Sequence, residues 1–291
     1  MGSAVAHALA QGGARVVATL AGRSPRTARL AAKAEVECVP GLEDVVRESD
    51  VVLSIAPPER AEAIAGELAR AAAQAGARPL VADLNAIAPE TVRRIGGSLA
   101  ASGLELVDGS ISGPPPWRAD TTRIYLSGPR APELAALALP GVRLVVVGPE
   151  LGTASAVKMC TASVYKGTTA LLAQALLTAR HQGVVGYVLG DLEESLPELV
   201  DGVALGLARS ATKSGRYVAE MREIATTQAA AGLPALFEAM AEVYAELSLR
   251  PVARKAPEEL PADLSLEQVL DSLAPEPAEP GRTGSRADGA G

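Results

Sequence analysis

Lys158 is a single cation in an otherwise apolar stretch. The run Gly148-Pro149-Glu150-Leu151-Gly152-Thr153-Ala154-Ser155-Ala156-Val157-Lys158 leads from a glycine turn into a long apolar helix, with the lysine about two turns along. An ammonium group facing a cleft among apolar groups gives up its charge more readily than one on the surface, which suits proton transfer. A lysine whose stem snorkels to solvent has the same pattern, so placement decides between the two.

Three other stretches have residue types that can hold anions. In Val107-Asp108-Gly109-Ser110-Ile111-Ser112-Gly113-Pro114 a strand runs into a loop with small residues and two hydroxyls, suited to a carboxylate; an ordinary Ser/Gly turn looks alike. The turn Ala21-Gly22-Arg23-Ser24-Pro25-Arg26-Thr27 follows a strand-like run, where a dinucleotide-binding unit meets the adenosine ribose. An acidic residue there favours the free hydroxyl of NAD, whereas Arg23, Ser24, Arg26 and Thr27 offer donors to the 2′-phosphate of NADP. A solvated basic turn has the same composition. Finally, Met1-Gly2-Ser3-Ala4-Val5-Ala6-His7-Ala8-Leu9-Ala10 reads as a helix with no strand before it. A dinucleotide-binding unit needs strand, glycine turn, helix and strand, with pyrophosphate at the helix N-terminus. Gly2 falls where the third glycine of that turn belongs, the one that lets helix and strand pack closely. A helix start that happens to carry glycine reads the same way. The expectation is a chain truncated relative to that unit, lacking its first strand and first two glycines. Residues 2–11 would then be a helix, and Arg15–Leu20 a strand in a parallel sheet without its usual central strand.

The elements that would position these residues follow from periodicity. Arg15–Leu20, Val51–Ile55, Leu80–Leu84, Leu104–Asp108, Arg123–Leu126 and Val142–Val147 are strand-like, with helical patterns such as Pro58–Gln74 and Pro89–Ala101 between several of them. Near-continuous apolar strands separated by helices predict a doubly wound, mostly parallel sheet covered on both faces. After Gly152 the strands stop: Thr153–Gln182 reads as one long helix, and helices continue through Pro234–Leu247. A helix apolar on most faces is expected to be buried between domains or subunits. The predicted division is an α/β domain over 1–148, an all-α domain over 149–262, and a short helix with a disordered tail over 263–291, where Pro, Glu, Gly, Arg and Ala dominate.

Composition narrows the partners. A net charge of −7 argues against a nucleic-acid footprint, and aromatic residues at 2% leave few rings for stacking bases. Two cysteines, Cys38 and Cys160, provide neither a disulfide framework nor a cysteine metal site, which fits a cytoplasmic protein without a metal. No cation precedes the apolar N-terminal stretch, unlike a secretory signal, and the apolar run from Gly167 to Ala179 is short of the ~20 residues a bilayer requires. A membrane partner is not expected.

The order of these stretches resembles the β-hydroxyacid dehydrogenase and 6-phosphogluconate dehydrogenase superfamily. The family pattern runs Gly-x-Gly-x-Met-Gly, an Asn-Arg-Thr-like turn, Asp-x-Ser, Asp-Ala-Pro-Val-Ser-Gly-Gly, and Gly-x-x-Gly-x-Gly-x-x-x-Lys. Met1-Gly2, Gly22-Arg23-Ser24, Asp83-Leu84-Asn85 through Pro89, Asp108–Pro114 and Gly148–Lys158 are similar to these blocks in order, over roughly residues 1–250. Arg216-Tyr217-Val218-Ala219-Glu220-Met221-Arg222-Glu223-Ile224-Ala225 also looks like the C-terminal domain of a less characterised branch. The resemblance implies a Rossmann-like domain, a nicotinamide cofactor (NADP rather than NAD) and hydride exchange with a small hydroxy-acid-like substrate. Lys158 would be the acid/base, Ser112 and Gly113 would hold the substrate acid group, and Asn85 would lie near the nicotinamide, with Gly2, Arg23 and Ser24 on the remainder of the cofactor. The long apolar helices need more cover than one small domain gives, so a homodimer through the helical domain is expected. The placement of Lys158 beyond the strand ends predicts that it faces the cleft between domains.

The chain also departs from the pattern. Ala162 stands where the family has an Asn four residues after the lysine, so Thr161 or Tyr165 is expected to supply that polar contact. Pro114 replaces the second glycine of Ser-Gly-Gly. Imine reductases share the fold but commonly replace the lysine, so Lys158 favours carbonyl and alcohol chemistry. The absent first strand keeps a rival open: a folded, non-catalytic remnant that no longer binds cofactor.

Overall fold

The computed structural model describes residues 1–261 and 263–274. It divides into two compact units: Met1–Thr168 with Arg216–Glu242, and Thr169–Gly215 with the described residues from Val243 onward. The division falls inside a helix at Thr168, where the sequence reading placed a boundary after residue 148. The expected disordered tail begins at Ala274, and residues 275–291 lie outside the described residues.

In the first unit the chain begins with helix α1 (Gly2–Gln11), which buries Ala4, Val5, Ala8 and Leu9 along one stripe. Strand β1 (Val17–Thr19), helix α2 (Pro25–Lys33) and strand β2 (Glu37–Val39) follow. β1 and β2 pair in parallel as a sheet of their own. After α3 (Leu42–Arg47), the larger sheet is built in chain order from β3 (Val51–Ser54), α4 (Ala61–Ala75), β4 (Leu80–Asp83), α5 (Pro89–Ala101), β5 (Leu106–Ser112), β6 (Thr122–Ser127), α6 (Ala131–Ala135) and β7 (Val142–Gly148). Among the described residues only β5 and β6 pair antiparallel; the other neighbours of this sheet are parallel. Doubly wound order places one strand between β1 and β3, and among the described residues none pairs there. Residues 2–11 are helical and β1 sits in a parallel pair, as expected for a sheet without its central strand.

Alternation along the strands produces the two faces. Val52, Val81 and Leu106 join α4 and α5 residues such as Leu68, Ile95 and Leu99 in one core. Leu80, Ala82, Val107 and Ile111 point the other way, to Val5 and Leu9 of α1 and Leu134 of α6. Because both faces are covered, β4 is buried at all four positions.

The helical part comprises α7 (Thr153–His181), α8 (Val185–Ser195), α9 (Pro197–Val200), α10 (Val203–Ala211), α11 (Ser214–Ala229), α12 (Ala235–Ser248) and α13 (Leu266–Leu273). In the second unit α13 buries Val269, Leu270 and Leu273, with Arg180 of α7 paired to Asp271. Within the first unit Gly167 of α7 lets Phe237 and Met240 of α12 approach its backbone. No helix of the described residues is long and apolar enough to cross a membrane.

Sequence reading missed β2, whose three residues are mostly exposed and carry no apolar alternation. It also ended the fifth strand at residue 108 and took 109–112 as loop. β5 instead continues to Ser112, paired residue by residue with β6 from Asp108↔Ser127 to Ser112↔Arg123. The small residues there serve packing. A Cβ on Gly109 would collide with the Leu84 side chain, and Ser110 is fully buried.

Candidate functional site

The carboxyl ends of β3, β4 and β5 bring polar residues to one edge of the sheet, where open α/β folds bind ligands. Asp83 and Asp108 are register partners on β4 and β5. Asp83 accepts the backbone N–H of Asn85 (2.9 Å) and its side-chain amide (2.8 Å). The Asn85 amide also donates to Ser54 Oγ at 3.1 Å, and its Oδ1 accepts the Ala56 N–H at 2.6 Å. Asn85 is buried, so its polar atoms serve first to fix the loop after β4. Burial pushes the Asp83 carboxyl up to about 6, and Asp108 acts in the same direction against hydrogen bonds from Asn85 and Ser54.

Asp108 ties this edge to α7. Its Oδ2 accepts from Ser127 Oγ (2.8 Å), Gly152 N (3.0 Å) and Ser155 N (3.1 Å), while Oδ1 accepts from Ser155 Oγ (2.7 Å). Ser127 Oγ in turn accepts the Ala154 N–H, and Ser110 Oγ donates to the Ala154 carbonyl at 2.7 Å. A carboxylate thus meets the open N–H groups and positive dipole end of the helix from below. The turn into α7 requires glycine at Gly152, which has φ +98° and sits where a Cβ would press on Pro89 at 3.0 Å. Asp108 and Ser155 lie in stretches read from sequence, but neither Ser127 nor this link was singled out, since the partners lie 19 to 47 residues apart.

Lys158 follows Ser155 by one turn and is half-buried. Burial, then the Arg216 guanidinium, lower its ammonium pKa. Among the described residues no carboxylate lies within ion-pair distance of it. Thr161 does not reach across to it: its hydroxyl donates to the Val157 and Lys158 carbonyls of its own helix. Tyr165 is 73% exposed. Ser112 ends β5 opposite Arg123, and Gly113 (φ +107°) is held against the Thr121 carbonyl, a position a Cβ would occupy only by collision.

At the other end of the candidate site, Gly2 opens α1. A Cβ there would meet Ile55 at 3.8 Å, ordinary contact, so the described neighbours do not themselves demand glycine. Gly22 (φ +69°) turns the chain after β1, leaving Arg23 exposed. Ser24 caps α2 by accepting the Thr27 N–H at 3.2 Å. Burial, then Arg216 and Arg26, lower the amino group at Met1, which places both guanidiniums within electrostatic reach of the start of α1.

Sequence reading singled out the Arg216–Ala225 stretch only as a resemblance and gave no role to two sets of residues within it. Arg216 and Glu220 are an i,i+4 pair on α11, a readable signal, with Nε to Oε1 at 3.0 Å. Glu223, one turn further, accepts the Ala88 N–H (2.6 Å) and the Thr91 hydroxyl (3.0 Å), capping α5 from 132 to 135 residues away.

Residues 1–133 match the NAD binding domain of 6-phosphogluconate dehydrogenase, and residues 179–247 match a domain of unknown function, DUF1932. An uncharacterised 28.5 kDa protein from Methanothermus fervidus is 28% identical over 174 residues, 60% of this chain. That match spans 65% of the relative's length. A solved protein of unknown function, described as structurally similar to 3-hydroxyacid dehydrogenases, is 30% identical, with 84% of this chain and 92% of that one covered and a TM-score of 0.62. The Mycobacterium tuberculosis 3-hydroxyisobutyrate dehydrogenase shares the fold at 20% identity, with 94% and 95% covered and a TM-score of 0.65. Imine reductases share it at 19% identity.

Proposed function

The chain belongs to the β-hydroxyacid dehydrogenase-like superfamily, and from that membership we propose that it exchanges hydride between NADP and a small hydroxy-acid-like substrate. The observation that supports this most is Lys158. It is half-buried, without a carboxylate partner among the described residues, and fixed one turn from the Asp108 network at the ligand-binding edge of the sheet.

The residues at hand fit a nicotinamide dinucleotide at two points. The turn after β1 presents Arg23 beside Ser24 with no acidic residue within the turn itself, which suits a 2′-phosphate. Arg26 and Arg216 supply positive potential at the start of α1. When bound, the cofactor supplies or accepts the hydride. The protein's own part is proton transfer. Lys158 in its neutral form takes the hydroxyl proton as the carbonyl forms, or returns it from the ammonium form in reduction. Burial and Arg216 favour the neutral amine needed for the first direction. Ser112 and Gly113 are assigned to the substrate acid group, with Thr161 and Tyr165 lining the approach along α7, and Asn85 holding the loop beside the nicotinamide. The exposed Val164, Tyr165 and Leu171 on α7 support a homodimer that covers them.

Titration with NADPH and NADH, followed by turnover of small hydroxy acids, tests the reading. Tighter NADPH binding is expected, and Lys158→Met should lower kcat by about 10²–10⁴ while leaving NADPH binding intact. A protein that binds neither nucleotide supports the non-catalytic remnant instead.

A further inference from the structure

The chemistry assigned to Lys158 leaves a second charge arrangement unused. Glu220 of α11 is 5% exposed and meets two cations, Lys166 of α7 and Arg216. Lys166 is the more enclosed of the two, its side chain 15% exposed against 52% for Arg216, and its ammonium lies 4.5 Å from the centroid of the Tyr217 ring. One buried carboxylate therefore neutralises one cation, and the surplus charge rests on the half-exposed guanidinium. Glu220 holds that guanidinium at Nε, and Tyr217 is a second partner, through a hydrogen bond to its phenol and a ring whose centroid lies 5.6 Å away.

Position makes the surplus informative. Arg216 precedes Glu220 by one turn, and Lys158 precedes Lys166 by about two, so both are displaced toward the helix starts from the Lys166–Glu220 contact. Arg216 and Lys158 stand close enough to repel one another. An ion pair that served packing alone would balance its charges. Here like charges are gathered with no described carboxylate on Lys158, an arrangement that an arriving anion relieves.

We propose that Arg216 is the anion-recognising residue of the Lys158 site, and that its ligand is the carboxylate of a small hydroxy- or oxo-acid. The proposal rests on the proton-transfer reading of Lys158. Glu220 is the positioning residue: together with Tyr217 it orients the planar guanidinium so that the remaining N–H groups meet the carboxylate. A lysine cannot reproduce that planar set of donors. A side chain thereby shares the task with the Ser112–Gly113 backbone, where Pro114 follows.

The test is calorimetric titration of malonate, a dicarboxylate with no hydroxyl to oxidise, with and without NADPH present. Arg216→Met should weaken malonate roughly 10- to 100-fold, as expected for a lost charge-assisted pair. Arg216→Lys should recover little, and Arg222→Met, an exposed arginine on the same helix, should change nothing. Lys166 still neutralises Glu220 in these variants, so the buried pair survives. With a turned-over acid, Glu220→Gln should raise KM more than it lowers kcat. Malonate affinity equal in the wild type and both Arg216 variants, or no malonate binding to the wild type, overturns the proposal. Failure of the wild type to bind either nucleotide overturns the oxidoreductase reading instead, so the two failures are separable.

Discussion

Within its first two turns α7 passes through two kinds of polar environment. At Gly152–Ser155 every polar group of the Asp108 network has a partner, and Asp108, Ser110, Ser127 and Ser155 are all buried. One turn later Lys158 meets no carboxylate of the described residues, and Arg216 adds like charge. A saturated buried network rigidifies, because removing any member leaves the others unpaired. An unsaturated cationic site costs stability until something fills it, which is the usual exchange at a functional centre. The contrast separates residues that place the site from residues that use it.

Asp108→Ala attacks the saturated side and should have the largest effect on stability. It strands the N–H groups of Gly152 and Ser155 and the Ser127 hydroxyl, and should cost about 3–5 kcal/mol in denaturant unfolding. Asp108→Asn should cost less. Its carbonyl can keep the three donors on one oxygen while Ser155 Oγ turns to accept from the new amide. A cost below about 1 kcal/mol for the alanine variant would break the comparison, since the network would then be dispensable.

Asp83 lies between the two kinds. Its oxygens are satisfied by Asn85, yet burial still pushes its carboxyl up to about 6. The folded state therefore holds this proton more tightly than the unfolded state, whose carboxyl titrates near 3.8. The contribution to stability is full below that value and is lost as pH rises through about 6, a change of about 3 kcal/mol across the window. Unfolding free energies of the wild type and Asp83→Asn, measured from pH 4 to 7, should diverge with that slope. Whatever constant offset the amide introduces, its curve lacks the proton-linked part. Parallel curves would mean that Asp83 is solvated more than its burial implies.

How legible these residues are in sequence depends on the range of the interactions that define them. α5 begins at Pro89 with its fixed φ, and α7 begins after a glycine turn; both were placed within a residue or two, because the signals are local. Lys158 was reached through the order of the blocks around it, since a lone lysine that snorkels from a helix has the same local pattern. β2 left no trace, being three residues long and largely exposed. The extent of β5 was missed because Gly109 and Ser110 look like turn residues until Leu84, Leu126 and Ala154 surround them. Asp108 and Glu223 acquire their roles only when chain segments up to 135 residues apart meet. Arg216 and Glu220 were within reach as an i,i+4 pair, but such pairs are common on exposed helices, and nothing local marks this one as buried on one side.

The smallest expected effect sharpens the comparison within a single helix. α11 carries Arg216 toward the unsaturated site and, one turn beyond Glu220, presents Glu223 to the start of α5. The N-cap of α5 is Ala88, which has no side-chain acceptor, so the first turn of that helix depends on Glu223 for its Ala88 N–H and Thr91 hydroxyl. Glu223 also sets a negative charge at the positive end of the α5 dipole. Glu223→Ala should cost about 1–2 kcal/mol, the usual range for a lost cap, and Glu223→Gln about half, since the amide oxygen still accepts but the charge is gone. Thr91 retains one contact in either variant, because Arg94 donates to its hydroxyl at 3.2 Å. The loss should therefore be localised: hydrogen exchange should quicken at the amides of Ala88 and of residues 90–92 and stay unchanged at 154–156, where Asp108 does the capping. If Glu223 belonged to the ligand-using side of the molecule, the alanine variant would instead keep its exchange pattern and lose malonate binding as Arg216→Met does.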